Sequence, residues 1–170
     1  MKKIFLLFVS LAVLSCSSDD NGSSSEAKQL KITKLDGTEI KDGDIINVTS
    51  VGDANALVAF YLKNTSSSDI NVKAKLVSTS SNVDGSQMQF CYGQVCYAAV
   101  AVGTVYPVDS HELVTVPANG QVGGESFHFQ NFATSTTPIE YVFEFYQFDE
   151  NDAVVGNKVR VTYKYTPSAS

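Results

Sequence analysis

Apolar and polar residues alternate along most of the chain, most clearly near its end. In Lys158 to Tyr165, Val159, Val161, Tyr163 and Tyr165 fall on one face, and Lys158, Arg160, Thr162 and Lys164 fall on the other. Period two in β-branched and aromatic residues predicts a half-buried strand. Tyr141, Phe143 and Phe145 likewise share a face, with Glu144 opposite. Between the two segments, Asp149-Glu150-Asn151-Asp152 and Gly156-Asn157 supply turn chemistry, so the segments are expected to pair as a hairpin. With both odd-numbered faces on the core, the register sets Glu144 near Arg160 or Thr162.

Earlier segments repeat the theme. Leu30 and Ile32 precede a turn at Asp36-Gly37, and Ile46 and Val48 follow one at Asp42-Gly43. Leu57 to Leu62 is apolar on both faces, as expected of a central strand. After a turn over Asn64 to Asp69, Val72, Ala74 and Leu76 return. Met88 to Cys91 and Cys96 to Val102 flank a short loop, Leu113 to Val116 leads into Pro117-Ala118-Asn119-Gly120, and Phe127 with Phe129 begins another strand. No helical period persists, and neither βαβ alternation nor an internal repeat is present. The pattern predicts an all-β, two-sheet sandwich of seven to nine short strands.

The N-terminus departs from this pattern. Lys2 and Lys3 precede an apolar run from Ile4 to Leu14 broken only by Ser10. The run is too short to span a bilayer, which takes ~20 apolar residues, and it matches the secretory pattern. Ser15-Cys16 at its end resembles a lipobox, in which the cysteine takes a diacylglycerol and becomes the mature N-terminus. Val13 and Leu14 stand where the usual box has Leu and a small residue. With Ser17-Ser18-Asp19-Asp20-Asn21 following, the segment is similar to lipoproteins of the Bacteroidota. The expected organisation is a signal peptide (1–15), an anchor cysteine with a flexible polar tether (16–28), and one β domain (29–167).

Charge and cysteine count narrow the picture. Cleavage before Cys16 would remove Lys2 and Lys3 and no acid, taking the net charge from −6 to −8. The sequence has no run of Lys and Arg, which disfavours nucleic acid and anionic membrane as partners. With Cys16 lipidated, Cys91 and Cys96 remain. An even remainder in an exported protein predicts one disulfide, with Cα atoms ~4.4–6.8 Å apart.

Leu57–Leu76, an apolar strand, Lys-Asn-Thr-Ser and a returning strand, resembles the opening of immunoglobulin-like and fibronectin-type modules of bacterial surface proteins. Phe90-Cys91-Tyr92-Gly93-Gln94-Val95-Cys96-Tyr97, Val116-Pro117-Ala118-Asn119-Gly120 and Tyr141–Phe145 are similar to immunoglobulin-like domains of secreted Bacteroidota proteins. The resemblance covers about Leu57 to Tyr165. It implies an immunoglobulin-like or fibronectin-III-like sandwich and brings no catalytic residue with it.

Candidate chemistry is sparse. Cys91-x₄-Cys96 flanks Tyr-Gly-Gln-Val between strands, which fits a hairpin staple better than a C-x-x-C redox pair at a helix start. Two cysteines without a nearby His fall short of a tetrahedral zinc site, so no metal or cofactor is expected. Asp149-Glu150-Asn151-Asp152 lacks the spacing of an EF-hand loop, since Ala153 occupies a ligand position; a weak calcium site shared with Asp109 or Asp53 is the minority alternative. His128, between Phe127 and Phe129, is expected to face solvent, and Asp109-Ser110-His111 is too local for a catalytic triad. Of the eight tyrosines, Tyr141, Tyr163 and Tyr165 belong to core faces, which leaves Tyr61, Tyr92, Tyr97, Tyr106 and Tyr146 freer; of these, Tyr92, Tyr97 and Tyr106 are the candidate ligand-facing aromatics.

The sequence thus leads to a lipid-anchored binding or interaction module of the cell envelope, without catalytic residues. It would be held at the outer membrane or cell surface by its lipid, with an envelope protein or glycan as partner. The alternative is a carbohydrate- or calcium-linked accessory protein; a hydrolase comes third.

Overall fold

Strict alternation in two long segments builds the centre of one sheet. In the computed structural model, which describes residues 29–109 and 111–167, β11 (Ile139–Phe148) and β12 (Val154–Tyr165) pair antiparallel, with Glu144 opposite Arg160. Tyr141, Phe143, Phe145, Val159, Val161, Tyr163 and Tyr165 all face the core. β5 (Ile70–Thr79) pairs with the other side of β11, while β3 (Asp44–Val48) lies parallel to β12 and closes that edge. β8 (Val105–Tyr106) and β9 (Thr115–Val116) each pair with β5.

The second sheet runs in the order β2 (Glu39–Ile40), β1 (Leu30–Lys34), β4 (Leu57–Asn64), β10 (Gln121–Asn131), β6 (Met88–Tyr92), β7 (Val95–Tyr97). The fold is therefore an all-β sandwich of two six-stranded sheets. Twelve strands form among the described residues, more than the seven to nine expected, because four pieces of two or three residues add to eight strands of five or more. The segment Cys96 to Val102, expected as a strand, leaves the sheet after Tyr97 and turns. The expected signal peptide, Cys16 and the tether lie outside the described residues.

Aromatic rings fill the space between the sheets. Phe90 stacks on Phe129 with ring centroids 5.3 Å apart, and Phe129 meets Phe143 of the opposite sheet at 4.7 Å. Such pairs add ~0.5–1.5 kcal/mol beyond the burial of their area. Most of the polar groups inside are bonded. The Asn64 amide donates to the Ser68, Val116 and Pro117 carbonyls. Asn131 accepts from the Tyr141 hydroxyl, and the Tyr163 hydroxyl donates to the Ala56 carbonyl at 2.7 Å. Burial pushes both phenols up to about 12.

Two further features fix the geometry. Asn157 of β12 accepts at 3.0 Å from the backbone N–H groups of Gln29 and Leu30 and donates to the Leu30 carbonyl at 2.9 Å. It thereby ties the first strand of one sheet to the last strand of the other. In β10, Gly124 lies opposite Phe60 and His128 opposite Ala59, so residues 125–127 bulge out of the ladder. Gly123 and Gly124 adopt φ of +109° and +75° to make that bulge, where a Cβ on Gly123 would sit 2.7 Å from the Phe60 carbonyl oxygen.

Candidate functional site

The cysteine loop is a two-residue hairpin. Tyr92 pairs with Val95 across Gly93-Gln94, so Cys91 and Cys96 come directly opposite each other and form a disulfide. Their Cα atoms are 3.9 Å apart. This is tighter than the ~4.4–6.8 Å expected.

Two of the three aromatics expected to face a ligand do not. Tyr92 shares its parity with Met88 and Phe90 and is completely buried. Its ring stacks on Phe90, and its hydroxyl donates to the Val72 carbonyl of the other sheet at 2.9 Å. Burial lifts its pKa well above that of a free phenol. Tyr106 packs edge-on against Phe90, is only 2% exposed, and accepts from the Ala101 N–H. Tyr97 alone is partly exposed; it packs against Tyr106 and accepts from the Val108 N–H at 3.1 Å. Apolar ring area is worth more inside the sandwich than at its rim.

His128 joins the cysteines. β10 pairs with β6 so that His128 faces Cys91, which faces Cys96 on β7; the three form one row across adjacent strands. Both sulfurs and a ring nitrogen of His128 lie within 4.8 Å of one another, and among the described residues this is the one cluster of three metal-ligating side chains. The sequence lacks any local sign of it, since His128 is remote from both cysteines. Gly123-Gly124 was the available signal, as paired glycines inside a strand mark a bulge that re-aims its neighbours.

The outer face of the β5–β11–β12 sheet gathers charge from three strands. Lys73, Lys75, Lys158, Arg160 and Lys164 project there beside Tyr146 and Phe148. Glu144 accepts from Arg160 Nε at 2.8 Å and from Lys158 Nζ at 3.1 Å, Glu140 pairs with Lys164, and Asp152 pairs with Lys73. Lys75 enters none of these pairs. The sequence shows no cationic run because the sheet, not the chain order, assembles the group. Burial of Glu144 acts to raise its pKa, but Arg160 and Lys158 outweigh it and hold the carboxyl below the usual value.

Other candidates disperse. Asp149 spends its carboxylate on the Asn151 and Ala153 N–H groups of its own turn, and Asp53 on Asn55 and Ala56. Asp109 holds His111 at 3.1 Å on an exposed loop, and Ser110 lies outside the described residues. Backbone and side-chain bonds lower the pKa of Asp36, Asp84 and Asp109. At one end of the sandwich, a cleft of about 500 Å³ is lined by Ser66, Ser67, Ser68, Asp69, Asn71 and Gln147. Gln147 is 3% exposed, and its amide nitrogen has no hydrogen-bond partner.

No protein-family profile matches the chain, and no curated protein sequence does. Among solved structures, the chain is similar to the N-terminal domain of PorA, at 21% identity and a TM-score of 0.51, over 83% of this chain and all of that one. It is also similar to WR4, an MSP family member of C. elegans, at 11% identity and a TM-score of 0.40, over 72% of this chain and 92% of that one. PapD-like domain 7 of human CEP192 aligns over 96% of this chain and 99% of that one, at 10% identity and a TM-score of 0.41. The likeness to the PorA domain is one of fold, a two-sheet β sandwich.

Proposed function

We propose that the chain is a lipid-anchored binding module of the cell envelope, without catalytic activity, and that it binds through the outer face of the β5–β11–β12 sheet. The observation that carries this reading is the gathering of Lys73, Lys75, Lys158, Arg160 and Lys164 beside two aromatic rings, in a chain of net charge −6. Against Glu140, Glu144 and Asp152 the five cations leave this face a small positive excess on an acidic domain, which favours an acidic partner surface and orients it on approach. The anchor rests on Lys2-Lys3, the short apolar run and Ser15-Cys16. Such a lipid would hold the module at the outer membrane or cell surface. Against catalysis stands the sequence, in which Asp109-Ser110-His111 is too local for a triad.

The test is capture of envelope proteins by the whole chain in detergent, compared with Lys75→Glu and Lys164→Glu. Loss of capture in the variants supports the face as the binding surface; undiminished capture removes it. The end cleft favours a second reading, a neutral sugar held by hydroxyls and amides, because Gln147 offers a buried donor with nothing to bond. Glycan-array binding that survives both charge reversals and is lost in Asn71→Ala would select that reading.

A further inference from the structure

The row Cys96–Cys91–His128 has features that a hairpin staple does not need. A disulfide requires only its two cysteines, yet β10 breaks its ladder with two left-handed glycines and three bulged residues immediately before His128. The bulge also supplies the carbonyl of Glu125, to which His128 Nδ1 bonds at 2.8 Å. A carbonyl oxygen only accepts, so the proton sits on Nδ1 and the free lone pair on Nε2. A ring nitrogen donated to a backbone carbonyl is the usual outer-shell arrangement of a metal-ligating histidine, because it fixes the tautomer and raises the basicity of the other nitrogen.

We propose that Cys91, Cys96 and His128 form a redox-gated site for a thiophilic divalent cation of the zinc type, closed as the disulfide and open as the dithiol. In the closed form the sulfurs are neutral, bonded to each other and poor ligands. A dithiol reductant delivers two electrons and two protons, cleaving the S–S bond to two thiols and leaving as its own disulfide. Binding of the cation then releases the two thiol protons and forms two metal–thiolate bonds and one metal–imidazole bond. With Zn–S of ~2.3 Å and Zn–N of ~2.0–2.1 Å, tetrahedral ligands sit roughly 3.5–3.8 Å apart. Three ligand atoms already within 4.8 Å of one another meet this after small side-chain rotations. Cys91 is buried and Cys96 exposed, so the fourth position opens to solvent on the Cys96 side and takes water.

The experiment uses the whole chain, reduced with a phosphine under anaerobic conditions and titrated with Co²⁺ as a spectroscopic stand-in for Zn²⁺. The reduced chain should bind about one equivalent with a thiolate-to-cobalt charge-transfer band, and the untreated chain should show none. His128→Ala should weaken binding by tenfold or more, and Cys96→Ser should abolish the band. Near-UV circular dichroism checks that the reduced chain keeps its tertiary packing, and Zn²⁺ should raise its thermal midpoint. No charge-transfer band in the reduced chain, or equal affinity in His128→Ala, overturns the proposal. Loss of the near-UV signal on reduction that Zn²⁺ does not restore overturns it as well.

Discussion

The hydroxyl of Tyr92 donates to the carbonyl of Val72 across the core, one sheet bonded to the other at 2.9 Å. Tyr92→Phe keeps the ring and leaves that carbonyl unsatisfied in a buried site. Urea unfolding should show a loss of about 1–3 kcal/mol at unchanged m-value. An unchanged midpoint would mean the bond contributes nothing.

Glu144 carries a pH dependence of known sign. Its folded pKa lies below the ordinary 4.5, since Arg160 and Lys158 outweigh the opposing effect of burial. A depressed folded value gives stability that is present above the unfolded pKa and lost as pH falls through the folded one. Glu144→Gln should therefore cost about 1 kcal/mol at pH 7 and almost nothing in acid. Unfolding of both proteins at neutral and at acid pH checks this.

The bulge of β10 makes a prediction that two glycines separate. Gly123→Ala brings a Cβ to 2.7 Å from the Phe60 carbonyl oxygen and 2.8 Å from the Phe127 ring, at φ +109°. It should cost about 2–3 kcal/mol. Gly37→Ala, at φ +85° with open space around it, should cost only about 1 kcal/mol for its backbone conformation. Thermal unfolding of the two variants should rank them in that order.

Replacing both Cys91 and Cys96 with Ala frees a loop of a few residues. The chain-entropy estimate gives a loss of roughly 2 kcal/mol, small enough for the sandwich to persist. Equal stability of the double variant and the native chain would show that the bridge constrains nothing.

Cys16→Ala should move the whole chain from the detergent phase to the aqueous phase in a phase-separation assay. The native chain should carry a lipid-modified N-terminal cysteine by mass spectrometry. An unmodified N-terminus downstream of Cys16 would remove the anchor.

The hairpin of β11 and β12, with Glu144 opposite Arg160, was legible because an unbroken period of two fixes both face and register. Tyr92 was legible too, by its parity with Met88 and Phe90, but the adjacent turn residues made it look like loop. Tyr106 was not, since a two-residue strand carries no period. The parallel pairing of β3 with β12 and the pairing of β10 with β6 join segments far apart in the chain. Local pattern does not choose between such partners, and so the row of Cys96, Cys91 and His128 stayed hidden.

The three bonds from Asn157 to Gln29 and Leu30 hold the point at which the chain enters the domain from its N-terminal side. If that side is tethered to a membrane, any tug on a captured partner travels through this one junction. Asn157 then works as a strain relief: force reaching Leu30 is shared at once with β12 in the opposite sheet, rather than peeling β1 from its neighbours one residue at a time. Detaching β1 then requires breaking these three bonds together with its pairing to β4.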